Sequence, residues 1–313
     1  MDGLEIMKKW KIHRFSVSSE CDGQRLDQYL ATAIDNLSRG RAKKIIDIGG
    51  VHLNGRRVRS CSRSVREGDQ VELFLDHQPL DPFRFSPEDI LYRDKYILVL
   101  NKPAAVDTQP THARYKGTIY EALQVLLQDP FRKQLKPELG MVQRLDRGTT
   151  GLMVFSTHQH AHRGLTKIFM EHQVEKMYLA LVGKCPDTDE GEIRSLLARS
   201  RKENKVVSVE RGGKEAVTRF WVKNHLEQAS LIELELLTGR SHQIRAHMAE
   251  SGCPLLGDAR YGGASHLQGL AFDRPLLHAA KLAFLHPVTG ENLSFELPLP
   301  SDMLKAVECL KHA

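Results

Sequence analysis

Apolar runs long enough to cross a bilayer are missing from this chain, so no membrane-spanning helix and no membrane partner are expected. The start, Met1-Asp2-Gly3-Leu4-Glu5-Ile6-Met7-Lys8-Lys9, lacks the apolar stretch of a signal peptide, and its two acids argue against an organellar transit peptide. A cytoplasmic protein is the expectation. Cysteine is scarce: Cys21, Cys61, Cys185, Cys253 and Cys309 are odd in number, far apart and form no Cys-x-x-Cys pair, which excludes a disulfide framework and a cysteine zinc site. The His-Glu-x-x-His spacing is absent too. His242, His247, His278 and His286 therefore read as satisfied surface or core histidines, and no metal is expected. Gly212-Gly213 and Gly262-Gly263 follow no phosphate-loop or dinucleotide fingerprint and read as turns, so no nucleotide cofactor is implied. Internal repeats and low-complexity tracts are likewise missing.

What the chain does have is the balance of an ordinary globular protein, 41% hydrophobic and 27% charged residues over a length of 313 that suits one large domain or two unequal ones. Lys and Arg outnumber Asp and Glu by 45 to 39, a net charge of +6 that suits an anionic partner. Its distribution is more telling. Residues 37–66 carry nine basic side chains (Arg39, Arg41, Lys43, Lys44, Arg56, Arg57, Arg59, Arg63, Arg66) against the single acid Asp47, as expected of a phosphate-contacting face.

Local signals divide the chain. After an N-terminal extension (1–22), Leu26, Tyr29, Leu30, Ala33, Ile34 and Leu37 draw one helical face, and Ser38 is placed to cap a second helix from Arg39 to Ile48 that Gly49-Gly50 ends. Asn54-Gly55 suits a tight turn between strands, and Val71-Glu72-Leu73 alternates as a strand. Residues 23–75 thus form a small α+β unit. Three prolines (Pro79, Pro82, Pro87) mark a linker over 76–89. From 90 to 313 strand-like runs dominate at 96–100, 152–155, 177–182, 217–222 and 231–237, with helices near 118–128, 159–172, 241–251 and 301–311. Their irregular order predicts an α+β fold with a mixed, largely antiparallel sheet.

Two loops could carry chemistry. Arg144-Leu145-Asp146-Arg147-Gly148-Thr149-Thr150-Gly151 sets a carboxylate between two arginines at the entry to a strand, where a guanidinium would keep it ionised and usable as a nucleophile. On composition alone, an ordinary loop salt bridge is the commoner explanation of such a pattern. In Thr238-Gly239-Arg240-Ser241-His242-Gln243-Ile244-Arg245 a strand ends, Gly239 turns the chain and Ser241 is placed to cap a helix whose N-terminus favours anions. The basic excursion Arg199-Ser200-Arg201-Lys202-Glu203-Asn204-Lys205 reads as a solvated hairpin that could touch phosphates.

These motifs, in this order, resemble the RluA family of pseudouridine synthases from about Ile90 to Pro300. Asn101-Lys102-Pro103-Ala104 looks like the family's opening segment, and Arg144-Leu145-Asp146-Arg147-x-Thr-x-Gly like the motif bearing its catalytic aspartate. Lys176-x-Tyr178-x-Ala180, the stretch Leu237 to Arg245, Gly257-Asp258-x-x-Tyr261-Gly262 and Leu277-His278-Ala279 complete the series. Residues 23–75 resemble the αL RNA-binding motif found in a small-subunit ribosomal protein. The resemblance implies Asp146 as nucleophile, Tyr178 stacking on a flipped base and assisting proton removal, and Arg240 pairing with Asp146. It implies substrate contacts at Leu277, Arg144, Arg245 and Lys176, and RNA contacts at Arg39, Arg41, Lys43, Lys44, Arg56 and Arg57. No redox step occurs in such an isomerisation, so no cofactor and no metal are implied. The partner expected is RNA, ribosomal in preference to transfer RNA, and the expected state a monomer; a catalytically silent RNA-binding assembly factor is the alternative from another class. Gln109 and Gln143, where the family often has His, Ala105, where it has Gly, and Gly148, where it has Asp, depart from its pattern without removing a named catalytic group.

Overall fold

The computed structural model describes residues 11–183, 186–200, 202–203 and 205–311. The chain forms two compact units: Met1–Phe85 with Val106–Lys136, and Ser86–Ala105 with Pro137–Ala313.

The first unit is built on a four-stranded antiparallel sheet in the order Lys11–Ser16, Gln70–Leu75, Val51–Leu53, Arg56–Val58. Its outer strand Lys11–Ser16 lies upstream of Cys21, in a stretch the helical signals left as an extension; pairing with Gln70–Leu75 draws it in. The helix Arg39–Ile48 runs as the spacing predicts: the Ser38 hydroxyl accepts from the Arg41 N–H at 3.2 Å, and Gly49 takes the left-handed conformation (φ 95°) that closes the last turn. Ala42, Ile45 and Ile46 face Leu26, Leu30, Val51 and Leu73 in the core, which turns Arg39, Arg41, Lys43 and Lys44 outward. Asp27 lies wholly buried beneath them, accepting from Arg25 Nε (3.0 Å) and Arg39 Nε (2.8 Å). Burial alone would raise its pKa, but these two guanidinium bonds outweigh burial and hold it below the ordinary value.

Residues 106–136 interrupt the catalytic motifs in sequence yet pack with this first unit. A buried ion pair, Arg114 Nε to Asp76 Oδ2 at 2.9 Å, and the Arg84–Glu121 pair at 2.8 Å tie them to it. Thr118 caps their helix, Ile119–Leu126, by accepting from the Glu121 N–H.

The second unit is an eleven-stranded mixed sheet, so the α+β architecture holds. Its main path runs Lys205–Ser208, Glu190–Ser200, Lys214–His225, Ser230–Leu236, Val174–Val182, Leu277–Leu285, Thr150–Ser156, Ile97–Lys102, Ile90–Arg93. Among the described residues the one parallel pairing joins Leu277–Leu285 to Thr150–Ser156, with His278 opposite Thr150 and Ala279 opposite Gly151. Gly151 (φ 111°) is required there, because a Cβ would run into the Ala279 backbone. The basic excursion is a hairpin, Ser200 facing Lys205, with Arg201 and Asn204 outside the described residues. Helices Gln159–Met170, Gln243–Glu250 and Ser301–Lys311 each bury an apolar stripe against the sheet, through Leu165, Ala246 and Met303 among others. Among the described residues no helix is long and apolar enough to cross a membrane.

Candidate active site

The loop bearing Asp146 enters strand Thr150–Ser156, between strands Leu277–Leu285 and Ile97–Lys102, and side-chain bonds to its backbone hold it there. Lys102, fully buried at the end of strand Ile97–Lys102, donates from Nζ to the carbonyls of Pro103 (2.9 Å), Arg147 (3.2 Å) and Thr149 (3.0 Å). Arg274 donates from Nη1 to the Gly148 carbonyl at 3.0 Å. An ammonium inside a protein needs such partners, and here they are the carbonyls flanking Asp146.

Asp146 lines a cleft of about 720 Å³ together with Gln143, Arg144, Lys176, Tyr178, Arg240, His242, Arg245 and Leu277. Its Oδ2 accepts from Arg245 Nη1 at 2.8 Å and lies 3.6 Å from His242 Nε2. Arg245 is itself fixed from behind: Nε and Nη2 grip the buried Asp258 at 2.6 and 2.8 Å, and the guanidinium lies over the Tyr261 ring at 4.9 Å. The Tyr261 hydroxyl accepts from the Val206 N–H and shares a hydrogen bond with His242 Nδ1, at 2.9 Å each, which holds the imidazole with Nε2 toward Asp146.

Burial by itself would raise the Asp146 pKa. The charges of His242 and Arg245, the Arg245 hydrogen bond and the charge of Arg144 outweigh it and hold the carboxyl below the usual range. Burial also pushes the His242 imidazole down, against the pull of Asp146, so at neutral pH the lasting positive charge beside Asp146 is that of Arg245. Tyr178, buried on strand Val174–Val182, has its pKa raised by burial first and then by the Asp146 charge, and it remains a phenol at any physiological pH. Lys176, one tenth exposed on the same strand, is pushed down by burial.

The cleft thus gathers Asp146, Tyr178, Leu277, Arg144, Arg245 and Lys176 as the motifs imply, with one exchange of roles. The guanidinium on Asp146 is Arg245's, whereas Arg240 donates from Nε to the Glu215 carbonyl at 2.8 Å. The reason is local. Residue 242, not Ser241, is the helix N-cap, in a left-handed turn (φ 53°); Arg245 falls in the first helical turn, whose side chains lean toward the N-terminus and the cleft. Arg240 precedes that turn, after strand Ser230–Leu236, and its side chain bonds to the neighbouring strand Lys214–His225. Gln243 staples the turn, accepting from Thr238 Oγ1 and the Arg240 N–H and donating to Val217 O and Thr218 Oγ1. His247 is fully engaged by Thr218 and Ser195. Sequence reasoning assigned no part to Lys102 or Asp258 beyond their motifs. In the first unit Arg39, Arg41, Lys43, Lys44 and Arg56 are exposed, whereas Arg57 is half-buried and donates to the Thr111 carbonyl.

An ionised carboxylate held by a buried arginine thus shares one cleft with a buried phenol and a leucine, an arrangement that can offer an oxygen nucleophile to a molecule bound there. Residues 96–250 match the RNA pseudouridylate synthase family and residues 24–71 the S4 domain. An uncharacterized RNA pseudouridine synthase of Aquifex aeolicus is 37% identical over 304 residues, covering 94% of this chain and 95% of that protein. The ribosomal large subunit pseudouridine synthase D of Zymomonas mobilis is 37% identical over 302 residues, covering 92% and 94%. Among solved structures, human RNA pseudouridylate synthase domain containing 4 superposes with a TM-score of 0.57 at 26% identity, over 71% of this chain and 92% of that one. The chain belongs to the RNA pseudouridine synthases, isomerases of the RluA type, and carries an N-terminal S4 RNA-binding domain.

Proposed function

We propose that this enzyme isomerises uridine in large-subunit ribosomal RNA with Asp146 as nucleophile. The observation that carries the chemistry is the Asp146–Arg245 pair at 2.8 Å, in which both side-chain contacts fall on Oδ2 and leave Oδ1 to attack. The target base leaves its stack at a cost of about a few kcal/mol, least in irregular RNA. Asp146 Oδ1 then bonds to C1′ as the N1–C1′ bond breaks, and the uracil leaves with that electron pair. It turns between Tyr178 and Leu277. C5 bonds to C1′ as the ester to Asp146 breaks; the C5 proton departs and N1 gains one, so the reaction balances without oxidant or cofactor. Tyr178, held as a phenol, stacks on the base and assists through its hydroxyl rather than as a standing base.

Ribosomal RNA is favoured because relatives matched along nine tenths of the chain carry the large-subunit name and because the S4 domain presents an exposed basic helix. We infer a monomer working in the cytoplasm. Mapping carbodiimide-reactive uridines in RNA from a strain lacking the protein tests the substrate: a missing large-subunit signal is expected, and an unchanged ribosomal map with a lost transfer-RNA signal would overturn it. Asp146→Asn tests the nucleophile. The variant should bind RNA yet release no tritium from uridine labelled at C5, and release equal to wild type would refute the assignment.

A further inference from the structure

Resting on the RNA-modifying activity, we propose that residues 106–136 extend the RNA-binding surface of the S4 unit and end it in an aromatic finger, Phe131, that stacks on an unpaired base. Phe131 is 94% exposed, far beyond the other exposed large hydrophobics of its loop, such as Leu135 at 55%. A phenyl ring left in water forfeits the free energy of its burial and keeps both faces open to a stacking partner. The loop is not a slack one. Asp129 Oδ1 accepts from the N–H groups of Phe131 (2.8 Å) and Arg132 (3.2 Å), and Gln128 Nε2 donates to the carbonyls of Arg132 (3.3 Å) and Leu135 (2.9 Å), which fixes the backbone that presents the ring.

Charge says what kind of partner fits. Arg132, Lys133 and Lys136 follow the ring within five residues, all exposed, while the acid that precedes it, Asp129, has an oxygen committed to the backbone. A flat apolar face followed by cations matches a nucleobase on its phosphate backbone; an apolar groove on another protein would leave those three cations unanswered. The same segment also completes the basic surface of the S4 unit. Lys116 Nζ pairs with Asp47 at 2.7 Å and so cancels the only acid within the basic stretch 37–66, and the Arg59 guanidinium lies 4.4 Å above the Tyr115 ring. A segment that neutralises the stray acid, orders an arginine of the stretch and adds a ring followed by cations acts as part of the RNA face.

The test uses the full chain carrying Asp146→Asn, so that binding is read without turnover and a wrong assignment of the nucleophile or of the target RNA cannot disturb it. Fluorescein-labelled single-stranded oligouridylate is titrated at fixed salt, with the annealed duplex in parallel. Phe131→Ala should weaken single-strand binding about 5- to 100-fold, the range that loss of one base stack gives. Phe131→Leu, which keeps apolar bulk without a flat face, should weaken it nearly as much. Phe131→Trp should bind at least as well as wild type, with its added emission quenched by the RNA. Alanine and leucine variants that bind like wild type overturn the proposal, as does a tryptophan whose emission RNA leaves unchanged; leucine retaining full affinity while alanine loses it overturns base stacking, since the RNA contact then needs apolar bulk and no flat face.

Discussion

Replacing Arg245 should separate two things the side chain does. It is nearly buried, grips the buried Asp258 with two nitrogens and holds Asp146 with the third. Arg245→Met leaves Asp258 a buried carboxylate without its partner, a loss of about 3–5 kcal/mol for a broken interior ion pair. Against a total stability of about 5–15 kcal/mol that is about a fifth or more, and it should appear as an early urea midpoint. Removing both members, Arg245→Met with Asp258→Leu, should restore most of that stability, since neither member of the interior pair is then left without the other. Activity should not return with it. Asp146 loses the bond that orients it, and misplacement of a reacting group by about 1 Å costs about 10²-fold in rate. Its ionisation suffers as well: the carboxyl loses both a charge and a hydrogen bond that oppose the effect of burial, so its pKa moves upward and the acid limb of the pH–rate profile moves to higher pH. Arg240→Ala serves as the control, losing a bond to the Glu215 carbonyl worth about 0.5–1.5 kcal/mol and leaving the position of Asp146 intact. Tritium release from C5-labelled RNA and urea unfolding read both quantities. A double variant as active as wild type, or an Arg240→Ala protein that is inert while Arg245→Met works, would refute the pairing.

Two further perturbations follow from the same framework. Lys102→Met removes the donor shared by three carbonyls around the Asp146 loop, so the rate of tritium release should fall and unfolding should come earlier, by about 1–3 kcal/mol for a carbonyl left unsatisfied; unchanged kinetics would show that the loop holds without it. His278, buried against Thr150, is pushed down to about 4, by burial first and then by the Arg274 charge. Its folded pKa lies below its unfolded value of 6.5, so its stability contribution is fully present above that value and is lost as pH falls from 6.5 toward 4, about 3 kcal/mol in all. His278→Gln should therefore flatten the fall in stability over that window, measured by urea unfolding at a series of pH values, and a variant with the wild-type slope would place the acid sensitivity elsewhere.

How much of this was legible in the chain depends on the range over which each feature is decided. Helix Arg39–Ile48 could be bounded to the residue, because Ser38, the stripe Ala42, Ile45, Ile46 and the left-handed Gly49 all lie within one dozen positions. Strands buried on both faces, such as Thr150–Ser156, announce themselves as apolar runs. Strand Glu190–Ser200 does not: it pairs across the sheet through Glu192, Arg194 and Arg219, side chains that look like loop from composition alone. The site shows the same division. That Asp146 sits on a short loop before a strand is local, but that Arg245, 99 residues away, is the arginine that reaches it is settled by a left-handed turn at His242. Arg240 and Arg245 are equal candidates by charge, and the motif resemblance points to Arg240; the direction in which the helix throws its first-turn side chains selects Arg245. Lys102 carries the lesson further. Its ammonium ends an apolar strand and satisfies carbonyls 45 and 47 residues on, so nothing near it in sequence says that it anchors the Asp146 loop. Residue types and spacing declare what chemistry is available. The backbone path decides which group performs it, and in this enzyme that path turns the second arginine of the Arg240–Arg245 motif, not the first, toward the carboxylate.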